Sequence, residues 1–104
     1  MIFLKIFVDM LTAHTIKIIQ SLDKKKYRQK YNLFLVEGNK IIKELPNSDY
    51  EITELYSTDP NTLNLENSKV HKIQPAELKK ISFLQTPKDS VAVCRIPELS
   101  LIHI

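Results

Sequence analysis

An unbroken apolar quartet, Leu33-Phe34-Leu35-Val36, stands between a cationic run, Lys24 to Lys30, and the only glycine of the 104-residue chain, Gly38. Four apolar residues without alternation read as a strand buried on both faces. Such a strand needs helices above and below it, which points to a layered α/β fold. The surrounding sequence supplies them. Ile16, Ile18, Ile19 and Leu22 have helical spacing, with Thr12 or Thr15 as N-cap. Ser21 and Asp23 offer a cap for a second short helix over 24–31, on which Tyr27 and Tyr31 share a face. Asn32 suits a left-handed helix stop.

Beyond Glu37–Gly38, residues 39–45 read as a helix with Ile41, Ile42 and Leu45 inward, ended by Pro46. A second strand is expected over 50–58, a turn or short helical piece from Asp59–Pro60, and a third strand over 69–73. Residues 74–84 read as a helix with Pro75 in its first turn and Leu78, Ile81 and Leu84 inward. "SVAVCRI", 90–96, is the fourth strand. This order predicts an α/β domain, a three-layer α/β/α sandwich around a mixed sheet of about four strands.

Charge is unevenly placed. From Lys17 to Lys43 there are eight bases and two acids, a net +6. From Glu44 to Glu98 nine acids meet six bases, a net −3. A basic N-terminal third points to a polyanionic partner. Lys24, Lys25, Lys26, Arg28 and Lys30 are candidate phosphate contacts, with Lys40 in the same window. Arg28 alone among them has the fork geometry for two bonds to one phosphate. Against this stands the reading of an ordinary solvated helix face. Tyr27 and Tyr31 are candidates for base stacking, although beside an apolar strand at least one of them is expected in the core. Glu37 is either a polar contact with the ligand or a structural junction, and it is placed to orient Arg28 by an ion pair.

Several chemistries are excluded or disfavoured. A single glycine rules out a P-loop or a dinucleotide fingerprint. His14, His71 and His103 are far apart with no ligand-spaced partners, so no metal site is expected. Lone Cys94 makes an intramolecular disulfide impossible, reads as a core residue and fits a reducing, cytoplasmic setting. "MIFLKIFV" is too short to span a bilayer and carries Lys5, so no membrane role is expected. No acid, His and nucleophile fall together as a catalytic set.

The segment "IKIIQSLDKKKYRQKYNLFLVEGNKIIKEL" resembles the N-terminal substrate-binding domain of SpoU (TrmH-like) RNA ribose 2′-O-methyltransferases. The resemblance rests on Lys25, Lys26, Tyr27, Arg28, Phe34, Glu37 and Gly38, and on "LKKIS" followed by "TPKDSVAV". It covers residues 12–97. Asn32 stands where the family usually has glycine, and Lys88–Asp89–Ser90 replace a turn that often contains one. The resemblance implies a sandwich similar to ribosomal proteins that bind kinked RNA. It implies RNA, with ribosomal RNA expected, as the partner, contacted by Lys24, Lys25, Lys26, Arg28, Lys30, Glu37 and Lys40. It also implies a following knotted catalytic domain, absent here, that binds S-adenosylmethionine and carries the homodimer contact. No cofactor is expected on this fragment, which alone is expected to be inactive. The alternatives are a stand-alone RNA-binding protein of ribosomal-protein-like fold and a protein-interaction module.

The ends read differently from the middle. Residues 1–9 are expected to be an upstream extension before a start at Met10, with the RNA substrate-binding domain over 10–97. "LSLIHI", Leu99 to Ile104, resembles one translated frame of a transposon-based sequencing adaptor, so 98–104 are expected to be a linker start and an adaptor-derived tail.

Overall fold

The computed structural model describes residues 11–63 and 70–96. The expected extension and tail lie outside the described residues. Helix α1 (Ala13–Ser21) and helix α2 (Lys25–Tyr31) lead into strand β1 (Leu33–Glu37). Helix α3 (Asn39–Ile42) and a 3-10 turn (Leu45–Asn47) precede β2 (Glu51–Ser57). Helix α4 (Pro60–Leu63), β3 (Val70–Lys72), α5 (Pro75–Ile81) and β4 (Ser90–Arg95) complete it.

The sheet order is β1-β4-β2-β3. Strand β4 runs antiparallel to both β1 and β2, and β3 runs parallel to β2. Strands β1, β2 and β3 therefore all point the same way, and their C-terminal ends lie on one edge. Two apolar cores flank the sheet. One joins Ile19 and Leu22, from α1 and its end, with Leu78 and Ile81 of α5 against Tyr56, Val91 and Val93. The other joins Ile42, Leu45 and Leu63 with Leu55, Ala92 and Cys94. Alternate residues of β4 feed alternate cores, as a period of two requires. The architecture is the expected three-layer α/β/α sandwich.

Local signals act as the physics prescribes at two points. Thr12 caps α1, its hydroxyl oxygen accepting from the Thr15 N–H at 3.1 Å. Asn32 ends α2 with φ 56°, the left-handed stop.

Elsewhere the structure corrects the sequence reading. The strand buried on both faces is β4, whose first five residues are all buried, whereas β1 is only half-buried along its length. Leu33 and Leu35 pack toward one core and Phe34 and Val36 toward the other, but among the described residues β1 is an edge strand with a neighbour on one side only. Ser21 and Asp23 do not cap α2; Lys24 is its N-cap and gives no side-chain bond. The helix after Gly38 is one turn long, Pro46 lies in the 3-10 turn, and Ile41 is 52% exposed. Helix α5 stops at Ile81, so Leu84 is outside it and exposed. In both places the helix ends early with its last apolar residue, Ile42 or Ile81, still buried; Ile41 lies on the exposed side of its single turn and Leu84 falls beyond the helix end.

Ile41 and Ile42 provide an internal comparison, since Ile42 is fully buried. Ile42→Ala is expected to cost about 2–5 kcal/mol. Ile41→Ala is expected to stay within about 0.5 kcal/mol. Urea unfolding of the two variants checks this.

Candidate nucleic-acid interface

Helix α2 is not a helix that its own ends favour. It has no carboxylate in its first turn and no side-chain cap. Lys25 and Lys26 instead sit at the positive end of its dipole, which costs a few tenths of a kcal/mol each. Two tertiary bonds hold it. The Arg28 guanidinium Nη1 donates to the Leu22 carbonyl at 2.8 Å, and the Asn32 amide donates to the Ile96 carbonyl at 3.0 Å. The helix thus carries its positive charge against its own dipole and is held by tertiary bonds instead.

Lys24, Lys25, Lys26 and Lys30 are exposed. Arg28 is half-buried, and its bond to Leu22 makes it a fastener of the α1–α2 junction as well as a cation. No carboxylate of the described residues pairs with any of these five, nor with exposed Lys40. The expected Glu37–Arg28 ion pair does not form. Glu37 closes the far end of β1, where Oε1 accepts from the Ser82 hydroxyl at 2.5 Å and Oε2 from the Phe83 N–H at 2.8 Å. It pins the loop after α5.

Neither tyrosine of α2 is core: Tyr27 is half-buried and Tyr31 exposed. Their rings stack at 6.4 Å between centroids with planes 19° apart. Lys26 Nζ lies 5.2 Å from the Tyr27 centroid and Lys30 Nζ 5.6 Å from the Tyr31 centroid. Aromatic faces interleaved with ammonium groups suit single-stranded nucleic acid, where bases stack and phosphates are neutralised. On another side of α2 a cleft of about 450 Å³ has an apolar floor of Leu33, Phe34 and Ile96 and a rim of Lys25 and Arg28.

The structure divides the candidate residues into two groups. Helix α2 joins β1 at Leu33, while Glu37 and Lys40 lie at and beyond its other end. Four strand steps separate Leu33 from Glu37, roughly 13 Å. At that far end Gly38 has φ 99°, and a Cβ there would meet Lys88 Cδ at 3.2 Å and Nζ at 3.7 Å. The glycine is needed twice, for its backbone and for the lysine stem lying over it. Nearby, buried Ser90 donates its hydroxyl to the Asn39 side-chain oxygen and lies 2.6 Å from the Ser57 hydroxyl, while Asp89 Oδ1 accepts from the Asn39 N–H at 2.9 Å. Lys79 and Lys88, which sequence reasoning missed, line a cleft at this edge. They are scattered in sequence, and only the sheet topology brings them together.

Among the described residues, no group of three His, Cys, Asp or Glu is placed to hold a metal. Burial pushes the Cys94 thiol from its ordinary 9.0 up to about 11, so it stays protonated and unreactive near neutrality. Burial, with the Glu54 carboxylate 2.9 Å from its hydroxyl, also drives the Tyr56 phenol upward.

A family profile for the MRM3-like substrate binding domain matches residues 13–92. The chain belongs to that family. No curated protein matches it. Among solved structures, a protein assigned to the TrmH family of RNA methyltransferases from Porphyromonas gingivalis is 31% identical, with a TM-score of 0.71. The match covers 85% of this chain and 36% of that one. An rRNA methyltransferase from Sinorhizobium meliloti shares the fold at 20% identity and TM-score 0.67, over 85% of this chain and 36% of its own. An RNA 2′-O ribose methyltransferase does so at 24% identity and TM-score 0.67, over 80% and 34%. This MRM3-like domain thus spans about a third of the solved proteins it matches.

Two outcomes are expected. Arg28→Ala should lower Tm by several degrees, through loss of about 1 kcal/mol of hydrogen bonding, while Lys26→Ala leaves Tm unchanged in a calorimetric scan. Cys94 ionises in the unfolded chain near 9.0 but in the folded one near 11. Stability from this group is therefore intact below pH 9 and lost as pH rises toward 11. Urea midpoints of the wild type and Cys94→Ala should converge over that window.

Proposed function

We propose that the chain recruits RNA for an S-adenosylmethionine-dependent RNA 2′-O-ribose methyltransferase acting on ribosomal RNA in the cytoplasm, with the methyl-transferring half and the homodimer contact in residues outside this chain. The observation that carries the reading is the unpaired cationic face of α2, interleaved with two tyrosine rings, in a chain of a substrate-binding family. Its support includes the TrmH-family relative, the 2′-O ribose methyltransferase of the same fold and an AdoMet-bound rRNA methyltransferase of the same fold from S. meliloti.

In this reading the α2 ammonium groups neutralise phosphates, and Tyr31 offers its exposed face to an unpaired base. Arg28 fixes α2 on the body of the domain, so that phosphate contacts set register and orientation. Among the described residues, neither the lysine-lined strand-end cleft nor the cleft beside α2 is lined by a carboxylate that could accept from the cofactor's ribose hydroxyls. S-adenosylmethionine supplies the methyl group from elsewhere, and the residues here bind and orient RNA only.

The test is fluorescence anisotropy of a single-stranded ribosomal RNA oligomer against salt. Four phosphate contacts give a log–log slope of about −3 for a single strand, or roughly 50-fold weaker binding between 50 and 200 mM salt. Lys26→Ala with Lys30→Ala should reduce the slope by about 1.4 without moving Tm. Salt-independent binding, or none at 50 mM, would sink the proposal.

A further inference from the structure

The topology singles out a place that the charge run does not. After β2 the chain passes into α4, whose Leu63 joins one core; after the neighbouring β3 it passes into α5, whose Leu78 and Ile81 join the core on the opposite face. Helices leave adjacent parallel strands to opposite sides of the sheet. Such a switch point opens a crevice beyond the strands' C-terminal ends, where open α/β sheets take their ligands. A cleft of about 460 Å³ lies there. Thr58 follows β2, Pro75 and Ala76 open α5, and Pro87 and Lys88 precede β4.

The side chains that line this cleft carry charge of one sign, with Asp59, Glu77 and Asp89 next to lining residues in sequence but not in the lining. Lys79 and Lys88 both line it. The carboxylates near its lining residues are turned to other donors. Asp89 accepts from the Asn39 N–H, Glu77 from the Gln74 N–H and Asp59 from the Thr62 hydroxyl. No carboxylate of the described residues pairs with either lysine. The exposed Lys88 stem passes close to Gly38, where an added Cβ would lie 3.2 Å from its Cδ. Pro75, Ala76, Leu78 and Pro87, compact and apolar, line the same cleft.

We propose that this switch-point cleft is a second RNA-backbone site, in which Lys79 and Lys88 hold a phosphodiester while the proline and alanine walls receive the attached sugar. The inference rests on the RNA-recruiting reading of the chain. It explains why Glu37 and Gly38 lie remote from α2. Glu37 fixes the loop after α5, and Gly38 makes room for Lys88, so both shape this cleft without touching RNA. One strand would then cross the domain from the α2 face to this edge.

The experiment is a salt titration of RNA binding by the full chain, using a single-stranded 12-mer, with Lys79→Gln/Lys88→Gln and Lys26→Gln/Lys30→Gln as separate pairs. All four lysines are exposed, so both variants should keep the wild-type Tm. The expected result is that the cleft pair lowers affinity about tenfold at 50 mM salt and reduces the slope by about 1.4. The effect should add to that of the α2 pair and shrink for a 4-mer too short to reach both sites. Unchanged affinity and slope in the cleft pair, with loss in the α2 pair, overturns the second site and leaves the RNA-recruiting reading standing. No RNA binding by the wild type overturns both. Equal binding of AMP and the 12-mer to the α2-pair variant also overturns the inference, since the cleft then takes a free nucleotide and not an RNA backbone.

Discussion

The pairing of β4 with both β1 and β2 is the constraint on which the domain depends. β1 and β2 do not touch as strands, and β4 enters between them antiparallel. Its side chains alternate between the two cores, Val91 and Val93 to one and Ala92 and Cys94 to the other. Every helix with a buried residue packs in a core that β4 helps to build. Near the start of β2, Thr53 sits in a bulge where the register shifts, and its hydroxyl donates to the Val93 carbonyl at 2.9 Å. The bulge bends β2 without surrendering a bond to β4.

Much of this was legible in the sequence, and the rest was hidden for definable reasons. Element order, the Asn32 stop and the Thr12 cap are local, and local chemistry announced them. The resemblance carried by "KKYR" and "VEG" located the family. What local chemistry could not reveal was strand order. "LFLV" and "VAVC" read alike as apolar runs, yet one is an edge and the other the centre, because pairing is decided by partners far away in sequence. The same blindness affected Ile41 and Leu84, which have the right spacing for helices that end sooner. In sequence, Arg28 reads as a phosphate contact that Glu37 is placed to orient. Its second task depends on the Leu22 carbonyl being turned toward it, which only the α1–α2 junction establishes.

The candidate site shows the same division. The α2 lysines form a run that any charge count finds. Lys79, beside Lys80, and Lys88 lie in a net-acidic stretch and disappear in the average. Topology gathers them beside Thr58 and Pro75, while Gly38, seemingly a mere hinge, proves to be the floor under a lysine stem. Net charge over a window measures local density in sequence, whereas a ligand meets local density in space.

The late position of β4 also has a consequence for how the chain is made. During synthesis β1, β2 and β3 leave the ribosome before the strand that joins β1 to β2 exists. Until residues 90–95 arrive, β1 has no strand neighbour and both apolar layers lack their shared wall. The sheet therefore closes in one late, long-range step, which is slow by the measure of loop closure. The nascent domain must keep its apolar strands soluble for nearly its whole length. In that interval the lysines beside "LFLV" also serve as gatekeepers, holding by repulsion an unpaired strand that would otherwise seek another chain.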